Sequence, residues 1–143
     1  MQLRQGTSAD LDSIVAFDRV AQLDVTRVAF IERTLQSETC VVADRGNYVV
    51  GYSVLEYTFY DQGFVSMLYV AETARRQGIG RALLREIETR CKTRKLFTST
   101  NESNGAMRAL LASLSYVPSG IIHNLDPGDP ELVYFLDLSG HAA

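Results

Sequence analysis

Apolar residues follow two periods along this chain, and the switches between them mark out its elements. Leu3 to Gly6 predicts a short first strand. Thr7-Ser8-Ala9-Asp10 then has the form of a capping box, and Leu11, Ile14 and Val15 fall on one helical face behind it. A second helix is predicted from Val25 to Leu35, through Val28, Ile31 and Leu35, with Asp24 as its cap. Thr39–Asp44 and Tyr48–Tyr57 are rich in Val and Tyr and flank Arg45-Gly46-Asn47, which predicts a hairpin. Gly51 marks a bulge in its second strand, and Tyr60-Asp61-Gln62-Gly63 turns the chain into a third strand, Phe64 to Val70.

Next, the period changes to that of a helix. From Gly78 onward Ile79, Leu83, Leu84, Ile87 and Cys91 share one face, and Lys92, Arg94 and Lys95 put positive charge at its far end, as a helix dipole favours. Leu96 to Thr100 predicts another strand. Ser103 is the expected cap of a helix whose face is Met107, Leu110, Leu111 and Leu114, and Pro118 with Gly120 ends that unit. Ile121-Ile122-His123 predicts a short strand, Asn124 to Pro130 a turn-rich loop, Leu132 to Leu138 the final strand, and residues 139–143 a tail.

This pattern, over 143 residues of which 46% are hydrophobic and 22% charged, fits one domain with a real core, folded over 1–138. The net charge of −3 argues against a nucleic-acid partner, which needs a basic face, and suits a cationic acceptor. The start, Met1 to Gln5, lacks the apolar core of a signal peptide, and no run approaches membrane-spanning length, so the expectation is a cytoplasmic protein without a membrane partner. Cys40 and Cys91 form no C-x-x-C and read as reduced thiols, in a strand and on the apolar helix face. With His123 and His141 they make no metal-ligand spacing, so no metal is expected.

The chemistry concentrates between Val70 and Arg81. Gly78 and Gly80 let backbone N–H groups turn outward at a helix start, where the macrodipole attracts anions, and Arg75, Arg76 and Arg81 add charge. A diphosphate is the ligand this stretch suggests. The dinucleotide fingerprint fails, with Leu83 at its third glycine, and so does the nucleoside-triphosphate loop, with Gly80-Arg81-Ala82 in place of Gly-Lys-Ser/Thr.

Arg75-x-x-Gly78-x-Gly80 resembles the acetyl-coenzyme A loop of the GCN5-related N-acetyltransferase (GNAT) family, and Asn104, Leu110 and Tyr116 partly match that family's later helix motif. The resemblance spans nearly the whole chain. It implies an α/β fold with a mixed, mostly antiparallel central sheet flanked by helices, whose two central strands splay apart. It implies acetyl-CoA as co-substrate, held by Leu68, Tyr69 and Val70 along the strand, by Arg75, Arg76, Gln77, Gly78, Ile79, Gly80 and Arg81 in the loop, and by Asn104, which otherwise reads as a helix cap. It also implies acetyl transfer to a primary amine on a small molecule or peptide by direct attack on the thioester, with the protein a monomer or homodimer.

The family's catalytic positions are changed here. Its usual thiolate acid, a Tyr, is Leu111, and its usual base positions hold Phe64 and Ser99. Three readings stay open: Glu56 or Glu131 as a base through water, Tyr57 or Tyr69 as the acid, or reliance on positioning alone. A coenzyme A-binding sensor that has lost catalysis, and a structural domain without cofactor, are the competing functions. The acidic loop with Asp126, Asp129 and Glu131 hints at a cationic acceptor.

Overall fold

The structure, a computed structural model, describes residues 1–140; His141 and the rest of the expected tail lie outside the described residues. The order is β1 (Gln2–Gln5), a 3-10 turn, α1 (Leu11–Phe17), α2 (Val25–Gln36), β2 (Cys40–Asp44), β3 (Val49–Phe59), β4 (Gln62–Val70), a second 3-10 turn, α3 (Ile79–Arg90), β5 (Lys95–Asn101), α4 (Gly105–Ser113), β6 (Val117–Ile122) and β7 (Glu131–Asp137). The strands form a seven-stranded sheet in the order β1-β2-β3-β4-β5-β7-β6. Its β4–β5 pair is parallel, and the β1–β2, β2–β3, β5–β7 and β6–β7 pairs are antiparallel. This is the mixed, mostly antiparallel sheet with flanking helices that the family resemblance implies. No described helix is long and apolar enough to cross a membrane.

The described residues gather into two compact units, each built from two stretches of chain. The first comprises Met1–Leu55 and Met67–Ile87. Its core joins Ile14, Ile31 and Leu35 of the first two helices to Cys40, Val42, Val49, Tyr52 and Val54 of the sheet. The helix starts follow the predicted caps: Asp10 accepts from Thr7 N–H at 2.8 Å and Asp24 accepts from Thr26 N–H at 2.8 Å. Arg4 fastens β1 by giving Asp10 a two-pronged contact, at 2.8 and 2.9 Å, and Asp44 a third bond at 3.0 Å. The irregularity expected at Gly51 falls beside it, where the register steps from Ala43↔Gly51 to Asp44↔Val49.

The second unit comprises Glu56–Ser66 and the chain from Glu88 onward. Tyr60 and Asp61, at φ 52° and 62°, make the tight turn between β3 and β4, so β4 starts at Gln62, two residues before the expected Phe64. The cap of α4 is Asn104, whose side-chain oxygen accepts from Met107 N–H at 3.1 Å, while Ser103 binds Asp129 instead. Leu111 and Leu114 are fully buried, as their helical spacing predicts.

Cys91 lies past the end of α3, half-buried, with Lys92 and Arg94 beyond it; the predicted helix overran because its apolar spacing continues after the hydrogen bonding stops. Strand β6 runs through Pro118 and Gly120, which the sequence marks as breaks. Its place at the end of the sheet tolerates a missing N–H, and its register shifts between those two residues. His123 consequently sits outside the strand and is exposed.

Candidate functional site

The loop predicted to hold a diphosphate is built entirely within the first unit. β4 ends at Val70, a 3-10 turn covers Glu72–Ala74, and the exposed run from Arg75 to Gly78 leads into α3. Two residues of that run take the left-handed backbone, Arg76 at φ 63° and Gly78 at φ 79°. Only the glycine does so without strain, and a β-carbon built on it would meet nothing within 4 Å. That space lies over the start of α3, whose hydrogen-bond ladder opens with Ala82 N–H to Gly78 O at 3.0 Å; the N–H groups of Ile79 and Gly80 come before it. A bulky anion therefore has an approach to backbone donors at the positive end of a helix.

The helix is anchored by burial of Ile79, Leu83, Leu84 and Ile87. Gly51 is the residue that lets it come close: a β-carbon there would lie 3.1 Å from Leu83 Cδ1, 3.3 Å from Ile79 Cγ2 and 3.2 Å from Tyr69 O. The arginines are not equivalent. Arg75 turns back on the strand end, its Nε donating to Val70 O at 3.1 Å and its guanidinium lying 5.5 Å from the Tyr69 ring centre, while Gln77 accepts a hydrogen bond from the Arg45 side chain. Arg45 is thus a cation at the loop that a motif search along the chain does not find.

Tyr69, a candidate acid, packs its ring 6.2 Å from Phe17 and 6.3 Å from Tyr52, and its hydroxyl accepts from Arg19 N–H at 3.2 Å. That bond leaves the phenol proton available. Beneath it lies a polar cluster that the sequence reading missed. Asp18 is fully buried and accepts from Tyr52 at 2.6 Å, from Arg27 Nε at 3.0 Å, and from the N–H groups of Val20 and Ala21 at 3.0 and 3.1 Å. Burial, and after it the Asp18 carboxylate, pushes the Tyr52 phenol well above its ordinary range.

The carboxylate candidates and Asn104 lie in the second unit. The parallel ladder between β4 and β5 has the rungs Gly63↔Leu96, Phe64↔Phe97 and Val65↔Thr98. Thr98 reinforces it, its hydroxyl donating to Val65 O at 2.9 Å. The next residue on each strand is a serine. Ser66 donates to Glu56 Oε1 at 2.7 Å and Ser99 donates to Glu131 Oε2 at 2.6 Å, so each carboxylate is half-buried and already polarised by a hydroxyl. Sequence spacing gave no sign of either pairing.

Other candidates are accounted for by structure. Tyr57 accepts from Lys92 N–H at 2.9 Å, and its burial pushes its phenol up. Tyr116 is buried and donates to Glu88, itself only 3% exposed, at 3.0 Å. The acidic loop is latched to the chain before α4: Asp129 accepts from Ser103 N–H at 3.0 Å and from its hydroxyl at 2.6 Å, and Asp126 accepts from Asn101 at 2.9 Å. Those two acids therefore hold a turn in place. Among the described residues no group of three His, Cys, Asp or Glu could hold a metal ion.

Known proteins sharpen this reading. A crystal structure of a GNAT-family acetyltransferase from Bacillus cereus is similar at 32% identity and a TM-score of 0.89, over 95% of this chain and 96% of that one. Ribosomal-protein-alanine N-acetyltransferase from Brucella melitensis shares the fold at 23% identity and a TM-score of 0.79, covering 96% and 99% of the two chains. A Salmonella typhimurium structure solved with its cofactor acetyl-CoA shares it at 20% identity and a TM-score of 0.76, covering 99% and 96%. No curated protein matches by sequence. The model of the acetyltransferase (GNAT) family matches residues 11–116, a span that takes in the glycine loop before α3 and the Ser66–Glu56 pairing, with Ser99 inside it and Glu131 beyond its end. With the loop geometry, the strand order and that match in agreement, the chain belongs to the GNAT family of acetyltransferases, enzymes whose co-substrate is acetyl-CoA.

Proposed function

We propose that the protein is an N-acetyltransferase moving acetyl from acetyl-CoA to a primary amine by direct attack on the thioester. The observation that carries this is the open backbone at Gly78, set at the start of α3, in a stretch of chain that also carries Arg75, Arg76 and Arg81. It fits a diphosphate on the N–H groups from Gln77 to Arg81, and the last residues of β4, Leu68, Tyr69 and Val70, offer backbone groups to the pantetheine arm. Asn104 joins them in this proposal through its amide nitrogen, since its oxygen caps α4.

Acetyl-CoA supplies an activated acetyl group. The chain must then bring a neutral amine to it, take up a proton and settle the leaving thiolate. Glu56 and Glu131 are the proposed proton acceptors, acting directly or through one water, and Tyr69 is the proposed acid. The runner-up is a coenzyme A-binding sensor, which the buried Leu111 at the usual acid position favours. The acceptor is a small molecule or peptide. We further infer that the chain works as one N-acetyltransferase domain, because the family match runs through stretches of both compact units. A cytoplasmic setting suits the free thiols of Cys40 and Cys91, and monomer or homodimer is the proposed assembly.

Thiol release over a panel of amines tests the reaction. A thermal shift with acetyl-CoA tests binding apart from it, since a ligand at a hundred times its Kd stabilises by about 2.7 kcal/mol. Binding without release on any amine would select the sensor.

A further inference from the structure

Four phenylalanines run across the second unit, one from each of four strands. Phe59 lies 5.0 Å from Phe64 and 5.1 Å from Phe97, and Phe97 lies 5.2 Å from Phe135, centre to centre. Phe97 and Phe135 are direct cross-strand partners. Alternation puts the side chains of each strand on opposite faces. On β4, β5 and β7 the face away from the rings carries Val65, Leu96, Thr98, Tyr134 and Leu136, all buried. The rings themselves stay half-exposed. The unit thus has its core on one face of these strands and an aromatic stripe, partly in water, on the other.

The stripe leads to the two carboxylates. Ser66 and Ser99 are two residues beyond Phe64 and Phe97 on the same strand faces, about 7 Å along. Each serine is bonded to a glutamate, Glu56 or Glu131. A ligand lying along this face would meet a negative end and an aromatic end in a fixed order. That order matches one chemical class: a primary ammonium carrying an aryl or alkyl tail.

We propose that the row of Phe59, Phe64, Phe97 and Phe135 binds the apolar tail of the acceptor, which makes the acceptor a hydrophobic amine. The inference rests on the transferase reading for the tail's amine to be the acetylated group, and on the ring geometry alone for the tail to bind. A polyamine or an amino alcohol would leave the rings in water and gain nothing from them.

The test uses the whole chain saturated with acetyl-CoA and two matched series: alkyl- and phenylalkylamines of increasing length, against ethanolamine and putrescine. Thiol release gives kcat/KM, and calorimetry with coenzyme A in place of acetyl-CoA gives binding independently of turnover. The expected result is a rise in kcat/KM of about three- to fivefold for each added methylene until the row is covered. Phe97→Thr keeps a strand-forming residue and removes the ring; it should flatten that rise by on the order of tenfold at the longest tail while leaving the melting shift with acetyl-CoA in place. If the variant does not fold, the wild-type series decides alone. Polar amines used as well as hydrophobic ones, or an unchanged preference in Phe97→Thr, would overturn the proposal and leave the transferase reading intact. Phe97-dependent binding of hydrophobic amines with no thiol release would support the surface and sink the transferase reading. No binding and no release with any amine overturns both. A concentration-dependent dimer whose formation protects the rings overturns it too, by giving the row to a second copy of the chain.

Discussion

The Tyr52 hydroxyl donates to Asp18 at 2.6 Å inside the first unit, where Asp18 is wholly buried. A carboxylate there is tolerable only because it also receives Arg27 and two backbone N–H groups. The pair fixes the floor on which the Tyr69 ring lies, with Arg27 5.6 Å from that ring's centre.

Removing one partner of such a cluster should cost more than the bond itself. Asp18→Ala leaves a half-buried guanidinium and a buried phenol behind and is expected to lose about 3–5 kcal/mol; Tyr52→Phe should lose about 1–3 kcal/mol. The phenol adds a pH dependence. Its folded pKa is raised, so its contribution is complete below the unfolded value near 10 and is lost as pH climbs above that. Denaturant melts at pH 8 and pH 11 check both points, and Tyr52→Phe melts that fall as steeply with pH as wild type would remove the phenol from the account.

Arg4 makes the corresponding argument at low pH. Its guanidinium holds the Asp10 carboxyl below the usual carboxylate range, and the Gly46 N–H, followed by Arg4, does the same for Asp44. A carboxyl depressed in the folded state contributes stability above its unfolded value, near 3.9, and loses it as pH falls through the folded value. Arg4→Gln is therefore expected to move the acid-unfolding midpoint upward. Circular dichroism against pH measures it; coincident midpoints would show that the ion pairs do not bear on acid stability.

The element order and the glycine turn into α3 were readable because their signals are local: a glycine at a helix start, a cap beside its own turn, a period within a dozen residues. What escaped was set by pairing over distance. Tyr52 meets Asp18 across 34 positions and Ser99 meets Glu131 across 32, and neither spacing is visible before the strands are registered. The break expected at Pro118 and Gly120 failed for a related reason, since whether a proline interrupts a strand depends on that strand being at the edge of the sheet. The cap of α4 moved by one residue, from Ser103 to Asn104, because Asp129 of a distant loop holds the serine.

Gly78 makes two demands that separate by substitution. Its φ of 79° is strained for any residue with a β-carbon, so Gly78→Ala should lower stability by about 1–2 kcal/mol although nothing stands in the way of the methyl group. Gly78→Glu adds bulk and like charge where the diphosphate is proposed to sit, and should abolish acetyl-CoA binding. Calorimetry on both variants is the check, and wild-type affinity in Gly78→Glu would place the diphosphate elsewhere.

Leu111 is fully buried on α4, beside the buried Leu114. Leu111→Ala should lose about 2–5 kcal/mol. Leu111→Tyr, which writes the family's usual acid back into the chain, must fit a larger side chain and a hydroxyl into the same closed space and should lose about 1–3 kcal/mol. Thermal melts of the two decide, and a Leu111→Ala protein with an unchanged Tm would show that the residue faces an open cleft.

Glu56 lies on β3 and Glu131 on β7, and each grips the serine that follows the Val65↔Thr98 rung, on β4 and on β5 respectively. A protonated amine entering there is attracted to either carboxylate, which can then accept its proton directly or through one water. The serine bonds hold the carboxylates in place without supplying a base of their own, so glutamine at either position keeps the shape and a hydrogen bond while removing the proton acceptor. If one glutamate is the base, its glutamine variant should lower kcat by about 10²–10⁴ with acetyl-CoA affinity unchanged, and the other variant should change KM alone. Ser66→Ala and Ser99→Ala tell which pairing matters, because loosening the true base should lower kcat where loosening the bystander does not. Unaltered kcat and KM in both glutamine variants would remove both residues from the chemistry and leave positioning, with about 7–11 kcal/mol at its disposal, as the source of the rate.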